Sequence, residues 1–320
     1  VRRRLSLAST VEDQVRRELV SLNREPGSKE PAEHIIRVNF HCNQACRFCF
    51  VSTHLPSAGH DAVEEAIREA GRRGLHIVLS GGEPTLNARL VDYVRLAKSV
   101  SSKPVELQTN AVRLDDEALV QALVEAGLDQ VFVSLHGCTA TISDRVTEAP
   151  GTFARTVIGV DHLTRAGVFV VLNFVICSAN HEDLVPYVRW VAGRWPRATV
   201  NFSFVAASTD VVPRDKHLIP RYSDVLPHLA EALRLAKDLD LATAGFESMC
   251  GLPLCLVPAD LAPYFQMELI PEGFDGGEFS YPPSCQECDL RGRCYGLRRG
   301  YEALHGSDEL SAVRREPTRA

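Results

Sequence analysis

His41-Cys42-Asn43-Gln44-Ala45-Cys46-Arg47-Phe48-Cys49-Phe50 sets three thiols at CxxxCxxC spacing, directly after Ile35-Ile36-Arg37-Val38-Asn39-Phe40, a run with the apolar, β-branched character of a strand. Three thiols on one short loop can converge on one metal centre, but three is an odd number for disulfides and one short of a closed zinc site. Iron–sulfur clusters are usually held by four thiolates, so a loop that supplies three leaves one iron with an open coordination position, where a ligand can be activated.

Outward from this loop the chain alternates between strand and helix patterns. Val63, Ala66, Ile67 and Ala70 share one helix face, and Ile77-Val78-Leu79 follows as a second strand. Val105-Glu106-Leu107-Gln108-Thr109 is the third, followed by a helix carrying Leu119, Ala122, Leu123 and Ala126 and stopped at Gly127. Val131 to Leu135 is the fourth, with a helix through Phe153, Val157 and Val160; Val168 to Ile176 is the fifth, with Asn180 as the cap of a helix through Leu184, Val188 and Val191; Val200 to Val205 is the sixth. Such a succession implies parallel strands with right-handed crossovers, either an open doubly wound sheet or a partial barrel. The chemically distinctive residues fall at the C-terminal ends of the strands, where barrels keep their active sites: the cysteine loop, Gly81-Gly82-Glu83-Pro84, Thr109-Asn110, Ser134-Leu135-His136 and Asn173.

Composition narrows the class. A chain of 320 residues with 45% hydrophobic content supports one large α/β domain and a small appendage. A net charge of −6 gives no electrostatic footprint for nucleic acid, and the arginine clusters at Arg2-Arg3-Arg4 and Arg314-Arg315 sit at the two tails. No apolar run approaches the roughly 20 residues that span a bilayer, and no apolar stretch follows the N-terminal arginines as a signal peptide requires. The expectation is a cytoplasmic protein with no membrane or nucleic-acid partner. There, ten cysteines point to metal ligation or free thiols over a disulfide framework.

Cys285-Gln286-Glu287-Cys288 followed by Cys294 is a second cysteine pattern, and Cys255 stands upstream of it in Gly251-Leu252-Pro253-Leu254-Cys255. Four thiols complete one closed site, and on the residues alone both a structural zinc and a cluster satisfy it. Cys250 is left beside this site, either as a packed thiol or as an alternative fourth ligand. Cys138 and Cys177 read as buried apolar residues, and His41, His54, His60 and His76, which lack ligand spacing, as surface or packing residues.

CxxxCxxC with Phe48 before its third cysteine, together with Gly81-Gly82-Glu83-Pro84 after the next strand, resembles the radical SAM superfamily. The resemblance covers roughly residues 34 to 206 and implies a partial (β/α)6 TIM-like barrel. It implies that Cys42, Cys46 and Cys49 hold a [4Fe-4S] cluster whose open iron chelates S-adenosylmethionine (SAM), and that a low-potential donor of flavodoxin or ferredoxin type supplies the electron. SAM is then cleaved to a 5′-deoxyadenosyl radical that takes a hydrogen atom from substrate. By the same resemblance Gly81, Gly82 and Glu83 bind the SAM amino group, Phe48 contacts adenine, and Ser134 and Asn173 contact the ribose and carboxylate. Thr109-Asn110-Ala111 departs from the family's commoner TNG, and His136-Gly137 stands where many relatives carry Asp-Gly.

The CxxCxxxxxC segment is similar to that of SPASM and twitch domains, which implies an auxiliary [4Fe-4S] cluster on Cys255, Cys285, Cys288 and Cys294. The continuation to a further cysteine is missing, since Arg298 occupies that position, so a shortened twitch-like form with one cluster fits. The domains expected are an N-terminal polar and helical segment (1–33), the barrel core (34–240) and the cysteine-rich extension (241–320). The expected activity is hydrogen abstraction from a peptide or natural-product small molecule, for maturation, oxidation or epimerisation. The short N-terminal segment supplies no recognition domain, which favours a small molecule or a peptide presented by a partner. The competing class is a non-catalytic iron–sulfur or zinc protein for electron transfer or structure; Gly81-Gly82-Glu83 argues against it.

Overall fold

Strands form where the sequence alternates or is continuously apolar, and eight of them lie side by side in chain order: β1 Val20–Arg24, β2 Pro31–Arg37, β3 His76–Ser80, β4 Val105–Thr109, β5 Gln130–Ser134, β6 Phe169–Ile176, β7 Thr199–Phe204 and β8 Thr243–Ala244. The computed structural model describes residues 10–24, 31–207, 215–245, 251–258, 260–261 and 278–314. β1 runs antiparallel to β2, and every later neighbour is parallel. Sequential parallel strands joined by helical crossovers, with β1 and β8 as edges, make a partial TIM-like barrel.

The helices are α1 Val11–Leu19, α2 His60–Arg72, α3 Leu90–Val100, α4 Glu117–Glu125, α5 Ala140–Thr147, α6 Thr152–Arg165, α7 Leu184–Arg194 and α8 Tyr222–Asp238. Each buries one stripe. α2 buries Val63, Ala66, Ile67 and Ala70, at the spacing that puts them on one face. Val63 and Ile67, both fully buried, stabilise the fold by about 1.5–3 kcal/mol each. In β6, Val170, Leu172, Phe174 and Ile176 are buried, and Phe174 meets Tyr187 of α7 at 4.7 Å between ring centroids. The alternate residues Val171, Asn173 and Val175 are half-buried and face the barrel interior.

The first strand is expected to run to Phe40, but β2 ends at Arg37. Val38 still donates to the Ser80 carbonyl at 2.9 Å, after which Asn39 turns to receive the Gly82 N–H at 3.0 Å. The N-terminal segment is not only helical. Thr10 and Asp13 form a capping box that starts α1, and the chain then turns into β1, so the sheet begins before residue 34. It also runs past residue 240, through β8. α5 is an element the apolar spacing did not announce.

Beyond the barrel, β9 Phe279–Ser280 pairs antiparallel with β10 Leu297–Arg298, and α9 Arg299–His305 follows. This unit docks on the start of α8. Tyr301 stacks on Tyr222 with centroids 4.1 Å apart, its hydroxyl accepts the Tyr222 N–H at 2.9 Å, and His305 Nε2 meets the Ile219 carbonyl at 2.9 Å. No helix among the described residues is long and apolar enough to cross a membrane.

Candidate active site

The site is assembled where β2, β3 and β4 end. A Cβ on Gly81 would lie 2.3 Å from the Asn39 carbonyl oxygen, and one on Gly82 would lie 2.2 Å from that of His41. Both are far inside contact distance, so only glycine lets the turn after β3 press against the root of the cysteine loop. The Glu83 N–H then donates to the His41 carbonyl at 2.7 Å, and Asn39 Nδ2 donates to the Glu83 carbonyl at 2.8 Å.

Glu83 is 1% exposed, and its carboxylate is held by the protein itself. Oε1 accepts from Thr85 N (3.0 Å), Thr85 Oγ1 (2.5 Å) and Thr109 Oγ1 (2.6 Å); Oε2 accepts from Asn110 N at 2.7 Å. Burial pushes its pKa up, and these donors pull the other way. A carboxylate offers about four acceptor positions, so Oε2 is the oxygen with capacity for a ligand. Asn110 carries the network to the cysteines: its Nδ2 donates to Asn43 Oδ1 at 2.7 Å and lies 3.8 Å from Cys42 Sγ. Its Oδ1 accepts from Val112 N at 3.0 Å. Ala111, fully buried, adopts φ 57°, the left-handed conformation that explains why glycine is common at this point of the motif.

The cysteine loop is fastened on its far side. Ala45 N donates to the Thr147 carbonyl at 2.9 Å, and Gln44 Nε2 to Thr152 Oγ1 at 3.1 Å. Arg47 pairs with Glu148, just past α5, at 3.4 Å and with Asp215 beyond β7. Cys42, Cys46 and Cys49 line one open cavity of about 510 Å³, with Gln44, Arg47 and Glu148 on its wall. Burial pushes the Cys42 thiol up to about 11 and Cys46 higher still, with the neighbouring thiols adding to the effect. Both are thiols at neutral pH, and metal binding must displace their protons.

Ser134 and Asn173 are brought opposite each other by the register of β5 and β6. Asn173 Oδ1 accepts from Asn201 Nδ2 (2.9 Å) and Ser203 Oγ (3.1 Å), a polar cluster on the barrel's inner face. Phe48 turns inward, and its ring meets that of His136 at 5.0 Å and 88°. Cys177 is buried as expected, but Cys138 is not an apolar residue: its Sγ–H donates to Asp183 Oδ1 at 3.2 Å and its N–H to Oδ2 at 2.8 Å. Burial, and then the Asp183 carboxylate, drive that thiol up to about 12.

The second cysteine set also meets. Cys255, Cys285, Cys288 and Cys294 line a single small cavity walled by Pro253, Tyr281, Leu290 and Leu310. Backbone N–H groups point at the sulfurs: Leu254 and Gly296 donate to Cys294 at 3.4 and 3.3 Å, and Val313 to Cys288 at 3.4 Å. Burial pushes Cys255 up to about 11 and raises Cys285 and Cys294 as well. Among the described residues, no three Cys, His, Asp or Glu side chains are close enough to hold a single metal ion. Four thiols around one cavity, with N–H donors on the sulfur, are the donor chemistry of a structural zinc or of a cluster. Cys250 lies outside the described residues.

Residues 36–191 match the model of the radical SAM superfamily. This stretch is a radical SAM domain. The cysteine loop and the Gly81-Gly82-Glu83 turn described above lie within this radical SAM domain, which takes in β3 to β6 of the barrel. The domain is 32% identical over 157 residues to PqqA peptide cyclase of Methylocella silvestris, covering 48% of this chain and 42% of the relative. It is 32% identical over 152 residues to a probable GTP 3′,8-cyclase of Saccharolobus islandicus, covering 46% and 48%. The chain thus spans under half the length of these curated relatives, which are named as enzymes. In fold it is similar to Streptococcus suis SuiB, solved with S-adenosylmethionine and with the precursor peptide SuiA, at a TM-score of 0.61 and 14% identity over 87% of this chain and 74% of the SuiA-bound chain. Radical SAM proteins bind a [4Fe-4S] cluster and SAM, and the three thiols with an open cavity fit such a group.

Sequence reasoning placed Thr109 and Asn110 at a distinctive strand end but left the role of Asn110 in this radical SAM domain undecided, and it did not find Thr85 or Arg47. Arg47 carries no signal of its own, because its partners Glu148 and Asp215 are remote in sequence.

Proposed function

We propose that this radical SAM protein is an enzyme that reductively cleaves SAM to a 5′-deoxyadenosyl radical and abstracts a hydrogen atom from a peptide or natural-product substrate. The observation that carries this reading is the link from Cys42 through Asn110 to Glu83, which joins the proposed metal loop to the proposed ligand turn. A [4Fe-4S] cluster held by Cys42, Cys46 and Cys49 supplies the electron and an open iron position. Glu83 Oε2 and the Gly81-Gly82 turn receive the SAM ammonium, a charge-assisted contact. Phe48 offers a ring face to adenine, and Ser134 and Asn173 meet the ribose and carboxylate. A low-potential flavodoxin- or ferredoxin-type donor feeds the site in the cytoplasm, where nine described cysteines free of disulfides would persist.

A peptide cyclase and a precursor-peptide-bound protein among the similar proteins support a peptide substrate, and a probable GTP 3′,8-cyclase supports a small molecule. Cys255, Cys285, Cys288 and Cys294 hold an auxiliary [4Fe-4S] cluster in the extension from about residue 241, and Cys250 returns a hydrogen atom. Anaerobic reconstitution should give about eight irons per chain; about four irons with stoichiometric zinc would remove the auxiliary cluster. Dithionite and SAM should then yield 5′-deoxyadenosine, and Cys46→Ala should abolish it. A fully reconstituted protein that yields none would favour the electron-transfer alternative.

A further inference from the structure

His136 follows β5 by two residues and is 1% exposed. The backbone N–H of Val175, on the adjacent β6, donates to its Nδ1 at 3.2 Å. A peptide N–H can only donate, so Nδ1 carries the lone pair and the neutral ring keeps its proton on Nε2. The backbone is pinned too. Asn180 Nδ2 donates to the His136 carbonyl at 3.0 Å and to that of Val175 at 2.9 Å, while Asn180 Oδ1 accepts from Cys177 N at 2.8 Å. Gly137 has no room for a side chain, since a Cβ would meet Ile142 at 2.7 Å, and Cys138 is held by Asp183 through both its N–H and its thiol.

Against this fixed imidazole stands Phe48, perpendicular to it with centroids 5.0 Å apart. Phe48 lies between Cys46 and Cys49, and the next aromatic of the loop, Phe50, is 67% exposed. The His136 contact is therefore an aromatic brace from a barrel strand to the cysteine loop. We infer that His136 is a positioning residue for SAM, acting through the edge-to-face contact that sets the Phe48 ring. Burial holds the imidazole neutral, its pKa pushed down to about 3, so the ring brings no charge to a site that must accept a sulfonium. This role rests on the proposed SAM site and deepens it.

The test is a double-mutant cycle on the full chain, reconstituted but unreduced, with SAM affinity read by calorimetry. His136→Ala and Phe48→Ala should each weaken SAM about three- to tenfold, the size of one aromatic pair contact. The double variant should bind no more weakly than Phe48→Ala alone, and His136→Phe should restore most of the affinity. Should His136→Ala not fold, His136→Leu, which fills the space without a ring, replaces it. Nitrogen-15 NMR of the metal-free protein should show a histidine protonated at Nε2 alone whose signal vanishes in His136→Phe. Additive losses, wild-type affinity in His136→Ala, or a proton on Nδ1 would overturn the role. A wild type that binds no SAM would instead overturn the site on which the role rests.

Discussion

The backbone N–H of Asn110 lies 2.7 Å from Oε2 of Glu83, and the same asparagine reaches the cysteine loop through Asn43. Two strand ends and a loop thus share one hydrogen-bonded knot, with a buried carboxylate at its centre. Glu83→Gln keeps the shape but faces an amide N–H toward some of these donors. It should cost about 1–3 kcal/mol of stability, the range for a buried donor left unsatisfied. Urea unfolding of the metal-free protein checks the cost, and an unchanged midpoint would show that the knot is dispensable.

The close approach at Gly82 makes a sharper contrast. Gly82→Ala forces its new methyl against the backbone oxygens of Phe40 and His41, whereas a Cβ on Gly59 meets nothing within 4 Å. Overpacking against backbone costs about 1–3 kcal/mol. Gly82→Ala should lower both the melting temperature and the iron bound on reconstitution, while Gly59→Ala, at the N-cap of α2, should leave both near wild type. Equal iron loading in the two variants would separate the turn from the metal loop.

His136 makes stability depend on pH with a definite sign. In the unfolded chain a histidine titrates near about 6.5, and in the fold burial lowers His136 to about 3. Above the unfolded value both states are neutral and the contribution is fully present. As pH falls through the window between the two values, only the unfolded chain takes up the proton, and stability falls by about 1.4 kcal/mol per pH unit. His34, lowered chiefly by burial, adds in the same direction; His76, raised chiefly by its hydrogen bond to Glu33, opposes it. Comparing wild type with His136→Phe isolates the one group. Between pH 6.5 and 5 the variant should lose about 2 kcal/mol less than wild type in denaturant titrations, and parallel curves would contradict a neutral buried ring.

Ala111 carries a backbone cost that glycine would not. At φ 57° an alanine is disfavoured by about 1–2 kcal/mol, close to what Ala111→Gly forfeits in methyl burial and chain entropy, about 0.8 and 0.5–1 kcal/mol. Ala111→Gly should therefore unfold within about 1 kcal/mol of wild type. Ala97→Gly, equally buried but inside α3, should lose about 2 kcal/mol, because propensity and burial then act together. Equal losses measured by thermal unfolding would mean that Ala111 is unstrained.

The barrel was legible in the sequence because its parallel strands are buried on the helix side and its helices carry clear apolar stripes, as in α2 and β6. β1 was not, since Val20-Ser21-Leu22-Asn23-Arg24 is an edge strand with Leu22 46% exposed and becomes a strand only by pairing with β2. β8 is two residues of Thr243 and Ala244, too short for any periodicity. At the candidate site the cysteines and Gly81-Gly82-Glu83 could be found by spacing. Their physical connection could not: the glycines press on Asn39 and His41, and Glu83 is bound by Thr109 and Asn110, and none of these contacts has a local signature.

The Arg47 contacts bear on how the metal loop is filled. Its guanidinium ties the loop to Glu148 and Asp215, on two separate crossovers, while Ala45 is hydrogen-bonded to Thr147. Each exposed ion pair is modest alone, within about 1 kcal/mol, but together with the backbone bond they hold the loop through the protein's own contacts. Contacts made by the barrel itself thus meet the conformational entropy of ordering the loop. Such a loop does not depend on a metal for its shape, unlike small zinc domains in which the metal drives folding.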